Sequence, residues 1–251
     1  MILYEYPFNE RMRIHLRLEQ LFLRLDELAR RETTIDHHYA LATIFEIMDV
    51  GARSDLKTEV LRELERQKQV LNGYRGNPAI SEEVLNGITG ELQACFSSLN
   101  SLCGKVGQPL IEDEWLMSIR SRISLPGATF AFDLPAYHAW QHLAADVRQQ
   151  DLRGWMASLM PLAEAVSLLL RLVRNSGTAQ KVLTCAGAYQ QVLPQGRTFQ
   201  LLRLRLNSAL GLIPEISCTH LMVSVRLLCR ASNGRLQTCR DNSMFELTLC
   251  C

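Results

Sequence analysis

The spacing of apolar residues along the chain changes near Gly177. Before this residue they recur every three or four positions, which is typical of amphipathic helices. After it they alternate with polar residues, which is typical of strands with one buried face. The sequence therefore predicts an α+β protein, with an N-terminal helical bundle over residues 1–176 followed by a small antiparallel β-sheet domain over residues 177–251.

The first predicted helix runs from about Asn9 to Arg31, with Asn9 as its N-cap. Its buried face is a continuous apolar stripe made of Ile14, Leu18, Leu21, Leu25 and Leu28. Beside that stripe, the helical repeat places Arg13, Arg17, Arg24 and Arg31 on one face. A charged helix face is most often only in contact with solvent, but four arginines on one face also suit an acidic partner.

Cap and turn residues divide the rest of the helical region. One helix is predicted after Asp36, and the next from near Ser54 to Gly73. Later helices are predicted over residues 81–104, 112–124, 146–159 and 161–175. Residues 130–134 are predicted as a strand or an extended loop, after which Asp133 caps a helix with Pro135 in its first turn.

The C-terminal region predicts an antiparallel sheet of four to six strands. Two runs carry the alternation, with Leu202, Leu204 and Leu206 in the first and Leu221, Val223, Val225 and Leu227 in the second. Asn233-Gly234 is typical of a type I′ hairpin turn, and residues 245–250 form the predicted last strand.

Charge is distributed unevenly between the two regions. Residues 177–251 contain eight Lys and Arg against three acids, a net charge of +5, so the other residues carry −4 of the total of +1. Arg203, Arg205 and Arg226 are predicted to form a basic patch on the sheet, which suits nucleic acid or an acidic peptide. Sheet-type nucleic-acid modules interleave exposed aromatics for stacking, and Tyr189 and Phe199 are poor substitutes for these, so a protein partner is favoured and a nucleic-acid-binding module is the alternative.

No pattern of catalytic residues is present, so we expect a protein that is not an enzyme and has no cofactor. The eight cysteines contain no C-x-x-C pair. His138 and His142 have the spacing of metal ligands on a helix, but no glutamate lies between them, and we expect no metal. The most apolar stretch is interrupted by Pro161, Glu164 and Arg171, and the N-terminus does not resemble a secretory signal, so we expect a cytoplasmic protein without membrane insertion.

Several blocks of the chain resemble the ZapD family of bacterial cell-division factors. They occur in the family's order at residues 6–13, 16–19, 61–67, 119–122, 125–127 and 132–135, and the resemblance continues through His138, Trp140, residues 245–247, Cys250 and Cys251. The resemblance implies a cytoplasmic homodimer at the mid-cell division ring. It also implies that the protein binds the acidic and apolar C-terminal tail of FtsZ and crosslinks, or bundles, FtsZ protofilaments to stabilise the Z-ring.

The same resemblance implies partner-binding residues. Matching positions give Arg17 and His138 as contacts of the FtsZ tail, and charge geometry adds Arg13, Arg24 and Arg120. The helical domain would then serve both dimerisation and partner binding. One segment departs from the family pattern, which has arginines around residues 111–114, whereas this chain has Ile111 followed by three acids.

Overall fold

A computed structural model describes residues 1–52, 55–219 and 221–251. It confirms the α+β class, with helices in the N-terminal part and antiparallel sheets in the C-terminal part. The helices within the described residues are α1 (Glu10–Arg30), α2 (Thr34–Gly51), α3 (Leu56–Asn72), α4 (Glu82–Ser101), α5 (Gln108–Ile111), α6 (Glu114–Ile123), α7 (Pro135–Gln141), α8 (Ala145–Ala157) and α9 (Met160–Asn175). The strands are β1 (Ile2–Pro7), β2 (Ala179–Leu183), β3 (Ala188–Val192), β4 (Leu201–Leu206), β5 (Ile213–Cys218), β6 (Met222–Arg230), β7 (Leu236–Thr238) and β8 (Met244–Cys250).

The N-terminus carries a strand that pairs with the C-terminal part of the chain. Strand β1 was not predicted, and it pairs antiparallel with β4 from Ile2↔Leu206 to Pro7↔Leu201. As a result one compact unit combines Met1–His15 with Leu170–Cys251, and the other is Leu16–Leu169. The strand is only six residues long and ends in proline, so its alternation is too short to identify without its partner strand.

The first unit is built from two antiparallel sheets. One has the strand order β1-β4-β8-β2, and the other has the order β3-β6-β5 with β7 also paired to β6. The predicted inward faces are confirmed for Leu202, Leu204 and Leu206 on β4 and for Val223, Val225 and Leu227 on β6, all of which are fully buried. Leu221 precedes β6 and is exposed, and the number of strands exceeds the predicted four to six.

Gly187 is required where the chain turns into β3. Its φ is +77°, and a Cβ atom at this position would overlap the carbonyl oxygen of Cys239. Only glycine combines a left-handed backbone with this close approach. The predicted Asn233-Gly234 turn joins β6 to β7, although the connection spans residues 231–235 rather than two residues.

The second unit packs helices around fully buried apolar side chains, including Leu18 and Leu25 of α1 and Leu41, Ile44 and Ile47 of α2. The Ser81 cap of α4 is confirmed, since its hydroxyl accepts a hydrogen bond from the Val84 amide. The predicted start of α3 at Ser54 lies outside the described residues. Residues 130–134 form turns rather than a strand, and Leu134, not Asp133, occupies the N-cap of α7.

A buried arginine of α8 donates hydrogen bonds to the segment that follows the C-terminal end of α1. Arg148 donates hydrogen bonds to the carbonyl oxygens of Glu32, Gln141 and Leu143, and its Nε donates to Nδ1 of His37 at 2.9 Å. His37 Nε2 in turn lies 2.7 Å from the Arg31 carbonyl oxygen. The two contacts fix His37 as the neutral tautomer with its proton on Nε2.

Candidate partner-binding site

Helices α1 and α2 are antiparallel neighbours, and contacts between them position two of the arginines predicted on one face of α1. At the turn, Arg31 approaches Asp36 to 3.5 Å. Two turns earlier on α1, Arg24 contacts Thr43 and Glu46 of α2. These contacts place the C-terminal half of α1 beside α2.

Arg24 and Arg120 both reach acids on the exposed face of α2. Arg24 donates to the Thr43 hydroxyl at 2.9 Å and lies 2.7 Å from the Glu46 carboxylate. Arg120 comes from α6 and forms an ion pair with Asp49. Glu46 and Asp49 are three residues apart and therefore neighbours on one helix face, so the structure brings these two arginines together but offsets their charges.

Arg17 differs from both because its charge is not offset. It is exposed, and among the described residues it has neither an ion pair nor a side-chain hydrogen bond. It lies two helical turns, or about 10 Å, before Arg24 on α1. A guanidinium group that already lacks a carboxylate can bind one from another molecule without breaking an internal contact.

Arg13 lies one turn before Arg17 on the same helix, within the first compact unit. Its guanidinium is 3.2 Å from the carboxylate of Glu10, and both side chains are largely exposed. An exposed pair at this spacing contributes at most a few tenths of a kcal/mol. The pair is therefore easily exchanged for an external carboxylate.

His138 is exposed on α7 and lies apart from the arginines. Its ring centroid is 4.4 Å from that of His142, whose Nδ1 donates to the His138 carbonyl oxygen. The preceding residue, Tyr137, is buried with its hydroxyl 2.8 Å from Nδ1 of His38, near the start of α2. The α2 partners of the two regions, His38 and Asp49, are eleven positions apart, so the Tyr137–His38 contact and the Arg120–Asp49 pair are on the order of 16 Å apart along the axis of α2.

The Tyr137–His38 contact has a defined direction of donation. Burial raises the pKa of the Tyr137 phenol and lowers the pKa of the His38 imidazole. Both groups are therefore neutral near pH 7, and the phenol O–H donates a hydrogen bond to Nδ1 of His38. This contact anchors α7 to α2 and fixes the position from which His138 projects.

The basic patch expected on the sheet is paired with acids in the structure. Arg203 Nε lies 3.0 Å from Glu5, which also forms a bidentate contact with Arg174. Arg226 lies 2.8 Å from Glu215, and Arg205 lies 3.9 Å from Glu246. Each strand arginine proposed for nucleic acid thus has an acid beside it, which lowers the positive potential of this face.

A comparison with known families bears on these residues. The family model of ZapD, described as a cell division protein, matches residues 16–226, which is most of the chain. The chain belongs to the ZapD family of cell division proteins. Arg17, Arg24, Arg120 and His138 fall within the matched region, and Arg13 lies just before it.

Sequence reasoning about this ZapD-family protein missed Glu46 and Asp49, which decide how much charge the arginines present. The signal that could have found them is their i, i+3 spacing on the face of α2 opposite its apolar residues. Nothing in the local pattern, however, indicates which arginines lie across from them. That assignment requires the packing of α1 and α6 on α2.

Two further observations concern other kinds of site. Within residues 1–52, 55–219 and 221–251, no group of three or more His, Cys, Asp or Glu side chains could hold a metal ion. Across the same ranges, no single helix is long and apolar enough to cross a membrane. Helices α8 and α9 meet that criterion only as a pair, by length and composition alone, and they are bent by 66° at the break between them.

Proposed function

We propose that this ZapD-family protein binds the C-terminal tail of FtsZ and, as a cytoplasmic homodimer, crosslinks FtsZ protofilaments at the mid-cell division ring. Family membership supports a role in cell division. The observation that carries the finer proposal is the exposed guanidinium of Arg17, which has no internal carboxylate among the described residues. An acidic tail supplies the missing counter-charge.

The neighbouring arginines extend the same surface. Arg24 is paired with Glu46 and Arg120 with Asp49, and a tail carboxylate can replace either acid as the partner. Because each replacement breaks an existing ion pair, these two residues contribute less to the affinity than Arg17 does. His138 would contact a different part of the tail, since it lies toward the other end of α2.

A homodimer converts weak tail binding into bundling. One exposed ion pair contributes about 1 kcal/mol or less, so a single tail is held weakly. When two tails are bound by one dimer, the second binds at the high effective concentration set by the first. Loss of about 1 kcal/mol at each site weakens each by about fivefold and the doubly bound state by about 25-fold, so bundling falls more steeply than binding.

The test is co-sedimentation of FtsZ polymers with the protein and with two charge-reversed variants. Arg17→Glu should reduce pelleting sharply and leave the circular dichroism spectrum unchanged. Arg62→Glu is the matched control, because Arg62 is an exposed arginine of α3 that also has no ion pair among the described residues. Light scattering of the protein alone measures whether it is a dimer.

The tail itself is tested by deleting it from FtsZ. Pelleting of the protein with tail-deleted polymers at the wild-type level would refute tail binding. Equal losses for Arg17→Glu and Arg62→Glu would refute a specific role of Arg17. Salt-dependent retention on a DNA column would support the nucleic-acid alternative instead.

A further inference from the structure

Two phenylalanines between α6 and α7 face solvent. Phe130 is 60% exposed and Phe132 is 83% exposed, and their rings stack with centroids 5.8 Å apart and planes 16° apart. Leu125, in the same connection, is half exposed. Exposed apolar side chains that lie together mark interaction surfaces, and aromatic side chains are enriched at such surfaces.

The segment that carries the two rings has a defined conformation. The Phe130 carbonyl oxygen accepts hydrogen bonds from the amides of Asp133 at 3.0 Å and Leu134 at 2.9 Å. Gly127 has a φ of +73°, and a Cβ atom placed there would be only 3.3 Å from the Phe130 ring. The main-chain hydrogen bonds therefore fix the backbone that carries the rings, and the Phe130 ring lies close to Gly127.

A cation lies beside the rings. Arg122, from the last turn of α6, is half exposed, and its guanidinium is 3.9 Å from the Asp133 carboxylate, beyond hydrogen-bond distance. An incoming carboxylate can approach Arg122 more closely than Asp133 does. The surface therefore combines an apolar anchor site with an available positive charge.

This surface begins at the C-terminal end of the helix that carries Arg120, although Arg122 is two residues from Arg120 and projects from a different side of α6. Helix α6 ends at Ile123, three residues after Arg120, so the connection begins about one helical turn, or ~5 Å, beyond the Arg120–Asp49 pair. One extended peptide can span both. A twofold contact between copies centred on this loop would instead bring the two Arg122 charges toward each other, which is unfavourable.

We propose that Phe130 and Phe132 are the apolar anchor site for the FtsZ tail, with Arg122 binding a carboxylate of the same peptide. This inference rests on the proposed function, because it assigns the apolar part of the tail to a second surface beside the arginines. The arginines would attract the tail, and the phenylalanines would retain it by burying its apolar side chains.

The experiment measures binding of a fluorescent FtsZ tail peptide by polarisation, so that each site is read singly and dimer avidity does not contribute. Phe132→Ala and Phe130→Ala should each weaken binding by about tenfold or more, as truncation of a central aromatic anchor does. Tyr74→Ala is the matched control, because Tyr74 is an exposed aromatic residue outside this surface. A second peptide carries serine at the apolar positions of the tail, and the Phe132→Ala effect should disappear with it.

The outcomes separate the two proposals. If the wild-type protein does not bind the tail peptide, the proposed function fails and this inference fails with it. If the wild type binds and Phe132→Ala binds equally well, the anchor site is refuted while tail binding stands. If Phe132→Ala separates the dimer into monomers without weakening the peptide, the surface contacts a second copy and the inference is again refuted.

Discussion

Replacing Arg148 with methionine tests a deeply buried charged group of the helical unit. Arg148 is 5% exposed, and its guanidinium donates four hydrogen bonds, to three carbonyl oxygens and to His37. Methionine keeps most of the apolar stem and removes all of the donors. The substitution therefore isolates the polar contribution of the group from its packing.

The expected loss of stability depends on which of the four hydrogen-bond acceptors stay buried once the guanidinium of Arg148 is removed. The three carbonyl oxygens belong to exposed or half-exposed residues and can be hydrated, whereas His37 is fully buried and its Nδ1 would be left without a donor. An unsatisfied buried acceptor costs ~1–3 kcal/mol, and each lost bond to a charged group costs ~1.5–3 kcal/mol before hydration is regained. Release of the desolvation penalty of Arg148 offsets part of this, so we expect a net loss of ~2–4 kcal/mol in the free energy of unfolding.

Urea unfolding followed by tryptophan fluorescence is the assay. Trp115, Trp140 and Trp155 are the three tryptophans of the chain and form one ring cluster, and the Trp140 ring lies 6.4 Å from that of His37. The signal therefore reports on this unit. Arg153→Met is the control, because Arg153 is an exposed arginine on the same helix and its loss should change stability by less than about 0.5 kcal/mol.

If Arg148→Met lowers the free energy of unfolding no more than Arg153→Met does, the hydrogen bonds of Arg148 do not stabilise this unit. Arg148→Lys gives a second check, since lysine keeps the charge but its ammonium cannot reach all four acceptors. We expect Arg148→Lys to recover little of the lost stability. Full recovery would mean that the charge, and not the shape of the guanidinium, holds the end of α1.

Two further predictions concern buried titratable and charged groups. Burial, and then the nearby Arg148 charge, lower the pKa of His37, so the unfolded chain binds this proton more tightly than the folded protein does. The stability that the neutral ring contributes is therefore fully present above the ordinary pKa of 6.5, and it is lost as the pH drops below that value. The urea midpoint should therefore decrease between pH 7 and pH 5 by more in the wild type than in His37→Gln, and equal decreases would contradict this assignment. Glu5→Gln removes the carboxylate shared by Arg174 and Arg203 and should cost ~2–3 kcal/mol. Hydrogen exchange at the β1–β4 ladder measures this, and unchanged protection would show that the ion cluster does not hold β1.

Local patterns predicted most of the elements because each depends on nearby residues. The apolar repeat of α1 and the alternation on β4 state which face is buried whatever that face packs against. Caps such as Ser81 act within one turn of their own helix. Strand β1 was missed because six residues without a partner carry too little alternation, and its pairing with β4 is a long-range contact.

The candidate site was predicted only in part, for the same reason. The sequence places Arg13, Arg17 and Arg24 on one face of a helix, but it does not show which of them has a carboxylate nearby. Thr43 is 19 residues from Arg24, and Asp49 is 71 residues from Arg120. Exposure of Phe132 was also not predictable, because an apolar residue in a loop ordinarily packs against the protein.

The sequence by itself determined the secondary-structure classes, the family and the cations available for a partner, since periodicity and residue identity are properties of the chain. Tertiary structure alone decided how those cations are paired, because the energy of an ion pair depends on the distance in space between the two charged groups. Packing of α1 and α6 on α2 offsets Arg24 and Arg120 and leaves Arg17 exposed. It is this difference, and not the number of arginines, that defines the surface open to an acidic partner.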